Sequence, residues 1–473
     1  MKKLIFALFL INSLCLYTQT KNFVREYTYK AGEADSKLSS KTLALKEVKT
    51  LLLEEVGVYL SSEFENKIEQ KQVNGKTEFK QLTKSNIITL AAGITKTTIL
   101  DEKWNGETYY LKAEIIVDID DTKRKLKELV NDKAKTKELE DIQAKNKEAN
   151  DVIDKLKKEL ETAKAKNIEL SEKDKTRIQE NYNAKINILD AIEWFHKGLD
   201  AQEAKEYENA IIYYNKAIQL NPEDAKVYNN RGNTKGLLQD DTGAIADYNK
   251  AIQLNPDYAI AYNNRGVAKA NLQDYTGAIT DCNKAIQLNP DFADAYINRG
   301  SIKLDLKDYT GAITDCNKAI QLNPADGSAY YNRGIAEHEL KNYNGAITDY
   351  NKAIQLKPDY DDVYFHRGVA KKILEDYNGA IADFNKAVQL KSDCAPCYYN
   401  RGNAKGLLQD YTGAIADYNK AIQLNPADAA DTYFNRGVSK YNLDDKNGAC
   451  KDWSKAGELG YSDAYNTIQK YCK

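Results

Sequence analysis

The alanine that opens Ala-Ile-Gln-Leu, or its Val variant, returns at Ala217, Ala251, Ala285, Ala319, Ala353, Ala387 and Ala421, a step of 34 residues each time. A period of that length outranks every local signal, because it means one supersecondary unit copied along the chain. One further copy ends at Ala456 after a single inserted residue, so eight repeats span residues 191–463. Each has a large aromatic at repeat position 4, Gly at 8, Ala at 20, an aromatic or Cys at 24, Ala at 27 and usually Pro at 32. In the first repeat these are Trp194, Gly198, Ala210, Tyr214, Ala217 and Pro222; in the second, Tyr228, Gly232, Ala244, Tyr248, Ala251 and Pro256. Positions 4 and 8 lie one helical turn apart, as do 20 and 24, so each repeat carries two amphipathic helices joined by a turn around Asp-Tyr-Thr-Gly. One such pair cannot cover its own apolar face, so repeats must stack. Gly and Ala let helix backbones approach while aromatics fill the space against the next repeat, which accounts for most of the 33 Tyr.

This pattern resembles the tetratricopeptide repeat over residues 191–463. The resemblance implies an α-solenoid with an inner wall that receives proteins or peptides; no catalytic activity and no cofactor are expected, for want of any catalytic motif. One departure is informative. Position 7, usually apolar in the family, is Arg231, Arg265, Arg299, Arg333, Arg367, Arg401 and Arg436, and position 23 carries Asp247, Asp281, Asp315, Asp349, Asp383, Asp417 and Asp452. The first repeat has Lys197 and Tyr213 instead. A buried unpaired guanidinium would cost several kcal/mol, so Arg-to-Asp bridges between a first helix and a second helix, in the same or the adjoining repeat, are predicted. An exposed basic stripe for nucleic acid is disfavoured, because the Asp row would cancel it.

In the resembling family, positions 5, 9 and 12 of the first helix line the ligand-receiving wall. Position 5 here runs Asn229, Asn263, Ile297, Tyr331, Phe365, Tyr399 and Phe434, turning from polar to aromatic, with Asn233, His338, Lys372, Asn403 and Tyr441 as variable neighbours. Two readings stand: the rings anchor an extended or helical peptide, or they pack against the next repeat. Chaperone-binding members clamp a terminal carboxylate with Lys and Asn, and Asn229 stands where that clamp needs Lys, which argues against that partner class.

Lys2 and Lys3 precede an apolar run, Leu4 to Leu16, followed by polar Thr18, Gln19 and Thr20, the layout of a secretory signal over residues 1–20. The run is too short to cross a bilayer, so export, to the periplasm, the cell envelope or the medium, is expected rather than a membrane span. Cys15 invites a lipoprotein reading, against which the bulky Leu14 stands.

Residues 21–120 read as a small α+β domain. Phe23, Tyr27 and Tyr29 share a strand face; Val48, Leu52, Val56, Leu60 and Phe64 recur every four positions as a helix requires. Asn74-Gly75 and Asn105-Gly106 are type I′ hairpin signals, and Tyr109, Leu111, Ala113, Ile115, Val117 and Ile119 alternate as a half-buried strand. The string Ala31-Gly32-Glu33-Ala34, the long helix and the closing Gly106–Asp118 strand resemble the N-terminal domain of flagellar assembly T proteins and related surface lipoproteins. That resemblance implies an envelope-associated binding module.

Residues 121–190 lack Pro and Gly and are dense in Lys and Glu, as a long solvated helix would be. Leu139, Ile142, Asn146, Ala149, Ile153, Leu156, Leu160, Ala163, Asn167 and Leu170 form a heptad seam, which suggests a coiled coil and a homodimer through residues 139–170, or else a single helical spacer.

Six cysteines follow the signal. Cys282 and Cys316 replace the position-24 aromatic in adjoining repeats, too far apart for a bridge and expected as buried thiols. Cys394 and Cys397 suit a local disulfide or two spectators, and Cys450 with Cys472 could staple a capping helix within residues 464–473. His196, His338 and His366 occupy unrelated repeat positions, and no nucleophile elbow, phosphate loop or metal motif occurs. With 68 Lys plus Arg against 70 Asp plus Glu, no global field draws nucleic acid.

The chain therefore reads as mainly α: an eight-repeat α-solenoid, preceded by a long helical or coiled-coil segment and a small α+β domain. The function expected is an exported, non-enzymatic scaffold for protein or peptide partners. The rival is a structural component of a cell-envelope or surface assembly, docked through its N-terminal domain.

Overall fold

A computed structural model describes residues 20–32, 35–70, 97–118, 147–149, 151–159, 171–427 and 429–472, with single positions at 122, 124, 144 and 162. The signal segment and the Asn74-Gly75 turn lie outside the described residues. The chain divides into two compact units, Met1–Val227 and Tyr228–Lys473.

In the first unit, strand β1 (Thr20–Lys30) leads into helix α1 (Lys37–Gln70), and β2 (Thr97–Trp104) and β3 (Thr108–Asp118) complete an antiparallel sheet of order β1-β3-β2. Period-2 burial places Tyr109, Leu111, Ala113, Ile115 and Val117 of β3 on the face that meets Val48, Leu52, Val56 and Leu60 of α1, with Phe23 beside them. The β2–β3 connection departs from the expected type I′ turn. Only Gly106 has a positive φ, and the Asn105 side chain instead accepts from the backbone N–H of Glu107 and Thr108 at 3.0 and 2.7 Å.

The predicted uninterrupted helix over 121–190 is broken before Glu172. Ser171 is extended and its hydroxyl accepts from the Asp174 N–H, starting helix α2 (Glu172–Glu203). The helical stretch 151–159 runs antiparallel to α2, with Glu159 facing Arg177 and Glu148 facing Lys185. The seam residues Ala149, Ile153 and Leu156 pack against Ile178, Tyr182, Ile186 and Leu189 of the same chain. That part of the seam is thus closed in cis, and it gives the homodimer no support; Leu139, Ile142, Asn146, Leu160, Ala163, Asn167 and Leu170 lie outside the described residues. A buried carboxylate, Asp35, fastens this hairpin to the β1–α1 loop by accepting from the Tyr29 and Tyr182 hydroxyls and the Gly32 N–H, with Lys157 beside it. Helix α2 continues without a break into the first repeat, where α3 (Tyr207–Leu220) is its partner. Trp194 there stacks on Tyr213 at 5.7 Å, with the ammonium groups of Lys197 and Lys216 over its ring.

Repeats two to eight pair a first helix, A, with a second, B. The A helices are Ala225–Leu237, Ala259–Asn271, Ala293–Asp305, Gly327–Glu339, Asp361–Ile373, Ala395–Leu407 and Ala430–Asn442. The B helices are Asp241–Leu254, Tyr275–Leu288, Tyr309–Leu322, Tyr343–Leu356, Tyr377–Leu390, Tyr411–Leu424 and Lys446–Glu458. Every B helix is started by a side-chain cap: Asp240, Asp274, Asp308, Asn342, Asp376, Asp410 and Asp445 accept from the N–H of the Gly three residues on. Within the second unit each B helix lies against the A helix that follows, and successive A helices touch, so the repeats stack continuously there.

The Gly at position 8 serves its own repeat. A Cβ at Gly402 would stand 2.7 Å from the Tyr418 ring, and one at Gly368 2.8 Å from Phe384. The A–B turn holds a surprise: position 15 adopts the left-handed region without a glycine, at Lys205, Gln239, Gln273, Lys307, Lys341, Glu375, Gln409 and Asp444, with φ between 61° and 65°.

Two disulfides form, Cys394–Cys397 and Cys450–Cys472, the second tying the terminal helix Ala464–Tyr471 to the last repeat. Cys282 and Cys316 are free and buried, and burial pushes both thiols up to about 12.

Replacing Gln409 by Gly is expected to stabilise the protein by about 1 kcal/mol, read from its thermal transition, since Gly removes the Cβ penalty of the left-handed turn. Cys282 and Cys316 should resist alkylation in native protein at mildly alkaline pH and react once it is unfolded, as peptide mapping would report.

Candidate protein-binding face

The Arg and Asp rows meet within each repeat. Arg231, Arg265, Arg299, Arg333, Arg367, Arg401 and Arg436 each grip the Asp sixteen residues on through two N–H···O bonds of 2.5–2.9 Å. All seven carboxylates are buried. Hydrogen bonds donated to Asp315 and Asp349 hold the guanidinium groups of Arg299 and Arg333 above their ordinary pKa.

Three further kinds of partner surround these pairs, the tyrosine at all seven and the lysine and asparagine at six each. Lys235, Lys269, Lys303, Lys371, Lys405 and Lys440, at position 11, bridge the second carboxylate oxygen at 2.8–2.9 Å. The position-4 tyrosines, from Tyr228 to Tyr433, lie with ring centres 5.0–5.6 Å from the guanidinium carbon, so they wrap the ladder as well as the next repeat. The free guanidinium nitrogen of Arg265, Arg299, Arg333, Arg367, Arg401 and Arg436 donates to Asn249, Asn283, Asn317, Asn351, Asn385 and Asn419 of the preceding repeat. Adjoining repeats are therefore joined through this amide, while the Asp bridge stays inside one repeat. The asparagine row was visible in the sequence as the residue before every Lys-Ala-Ile or Lys-Ala-Val.

The candidate ligand-facing residues divide into three groups. Toward the start of the second unit they belong to the stack. Asn229 and Asn263 are buried, and their side-chain oxygens accept from Asn264 at 3.2 Å and Asn298 at 3.0 Å. Asn233 accepts from the Tyr248 hydroxyl and from Asn264. Near the end, Asn403 takes the same bonds from Tyr418 and Asn435, and the Tyr399 hydroxyl accepts from Asn435. Phe434 stacks on Tyr461 at 4.3 Å, and Tyr441 packs on Trp453 and Tyr471, under the cap. These side chains are engaged by their neighbours, the arrangement that the packing alternative expects.

The middle group converges. Tyr331, Phe365 and His338 are half-buried and gather with Tyr350 and His366. A cavity of about 270 Å³ is lined by Ile335, His338, Glu339, Tyr350, Phe365, His366, Val369 and Asn400. Lys372 donates to Asn400 at 2.6 Å, and burial holds its ammonium below the ordinary value. Burial also depresses His338 and His366, so both imidazoles are neutral near pH 7.

Residues 203–239, 237–273 and 336–374 match a family model described as TPR repeat; residues 259–292, 293–326 and 395–428, and separately 361–394, match models described as tetratricopeptide repeat. The array is built of tetratricopeptide repeats. Such repeats indicate a protein–protein interaction scaffold. The chain is similar to a solved structure of the APC/C hetero-tetramer Cut9–Hcn1, with 16% identity, 64% of this chain and 60% of that chain covered, and a TM-score of 0.46. It is similar to a tetratricopeptide repeat protein from Parabacteroides merdae, with 21% identity, 54% and 97% covered, and a TM-score of 0.41. A third likeness is to YrrB, described as a TPR protein with an unusual peptide-binding site, with 24% identity, 39% and 95% covered, and a TM-score of 0.32. No curated protein matches the sequence.

Removing one partner of the ladder strands the others. Asp383→Ala is expected to destabilise the tetratricopeptide repeats by about 3 kcal/mol in thermal or urea unfolding, because Arg367 and Lys371 lose their shared carboxylate. The paired change Arg367→Met with Asp383→Leu should recover most of that loss.

Proposed function

We propose that this protein is an exported, non-enzymatic scaffold that binds protein or peptide segments along the A-helix face of repeats five to seven. The observation that carries the reading is the half-buried pair Tyr331 and Phe365, of which Phe365 lines a cavity and Tyr331 packs on its lining residues Tyr350 and His366, whereas the equivalent Asn229, Asn263 and Ile297 are buried in the stack. Rings held in place by neighbours supply contact area at little entropic cost, as binding anchors do. The family's ligand-receiving positions fall on the same side chains. Export is supported by the basic-then-apolar N-terminus and by two disulfides, which persist in oxidising compartments.

A second reading, a surface-assembly component docked through the N-terminal domain, is favoured by exposed Leu51 and Val58 on α1 and Ile116 on β3. It agrees with the resemblance of residues 21–120 to flagellar assembly T proteins and surface lipoproteins.

A peptide array probed with the full-length protein separates these readings. The scaffold reading expects saturable binding that Phe365→Ala weakens about tenfold or more and Ile116→Ser leaves unchanged. Binding sensitive to Ile116→Ser alone, or no binding to any peptide, would count against it.

A further inference from the structure

Repeat five departs from its neighbours in a way that packing does not explain. Where position 24 is tyrosine in repeats two and seven, an asparagine at position 9 accepts its hydroxyl: Tyr248 to Asn233 and Tyr418 to Asn403, both at 2.8 Å. Where position 24 is Cys282, Cys316, Phe384 or Trp453, no hydroxyl needs an acceptor, and position 9 is Val267, Ser301, Val369 or Val438. Repeat five keeps the tyrosine, Tyr350, but has Ile335 at position 9. The Tyr350 hydroxyl is fully buried with no partner, and the His338 Nδ1 is a second buried atom without one. Both side chains line the cavity. Buried polar atoms left unpaired are costly and call for an occupant.

The surroundings select its charge. Repeat five is also where the position-11 lysine is lost, replaced by Glu337. Outside the ladder, the three A helices beside the cavity carry Glu337, Glu339, Asp361 and Asp362 against the single ammonium of Lys372, which is engaged by Asn400. Glu339 is the only charged side chain lining the cavity, and Phe365 and Tyr350 present aromatic rings to it. His338 meets Tyr343 and lies near Glu339 and His366; His366 meets Tyr331, Tyr350 and Phe365 and lies near Asp362. Among the described residues no group of three His, Cys, Asp or Glu is placed to hold a metal.

We propose that this cavity receives the guanidinium or ammonium end of a basic side chain on a bound protein segment. The Tyr350 hydroxyl and His338 Nδ1 accept its N–H groups, Phe365 stacks on its cationic face, and Glu339 balances its charge. This subsite rests on the reading of the array as a binding scaffold and names the residue type it selects.

The chain has only three histidines, so their ring protons report on the site directly, with His196 of the first unit as an internal reference. Full-length protein would be titrated with N-acetyl-arginine amide, its neutral isostere N-acetyl-citrulline amide, N-acetyl-leucine amide and N-acetyl-glutamate. The arginine probe should shift His338 and His366 saturably while His196 stays fixed, with the citrulline probe at least about tenfold weaker. Ile335→Asn, which restores the pairing of repeats two and seven, should abolish the response, and exposed Glu339→Gln should weaken it about fivefold. Unmoved His338 and His366 with every probe would mean that water alone fills the cavity. Equal citrulline binding, or preference for glutamate, would equally overturn the proposal. Retained array binding in the Ile335→Asn variant, together with silent histidines, would sink this subsite and leave the scaffold reading standing.

Discussion

A carboxylate buried in every repeat from two to eight, with nothing but its neighbours to satisfy it, governs this molecule. An aspartate taken out of water needs its charge and its lone pairs met at once. The chain meets them with a planar guanidinium from the same repeat and, in six of these seven repeats, an ammonium one turn further on. The remaining guanidinium N–H then reaches back to an asparagine of the repeat before, in every pair from repeats two and three onward. Hydrophobic stacking alone would tolerate sliding between similar helices. A fork that fits one carboxylate and one amide does not, so the polar ladder sets the register that the alanines and rings then fill.

The sequence carried this architecture because the cause is periodic. Two amphipathic helices, the pairing of Arg with Asp, the alternation in β3 and the staple at Cys450 and Cys472 all follow from spacing, and each is found in place. Where spacing was ambiguous the reading drifted. A heptad seam looks the same whether its partner is a second molecule or a later stretch of its own chain, and only the start at Ser171 shows that Ala149, Ile153 and Leu156 fold back onto α2. The turn at Asn105 likewise has hairpin composition, but its side chain does the work that a positive φ would have done.

The candidate site was less legible, for a physical reason. Family positions name a helix face, but whether a side chain on that face is free depends on its neighbour one repeat away. Asn229 and Tyr441 occupy ligand-facing positions and are consumed by Asn264 and Tyr471. Tyr350 and Ile335 were invisible as site residues because each is ordinary alone. Their significance lies in the combination, a hydroxyl set where its usual amide is missing, and that emerges only when repeats are compared position by position.

The A–B turns point to a different property of the array. Each of the eight left-handed residues, from Lys205 to Asp444, is solvent-exposed, yet none is glycine. The backbone strain is borne locally, and because energies in such arrays add nearly repeat by repeat, no single turn imperils the whole. What the chain gains is a margin of side chains, here lysine, glutamine, glutamate and aspartate, whose charge can drift from copy to copy without disturbing the interior. Solubility and crowding behaviour can thus be tuned along that margin while the helices beneath stay as they are.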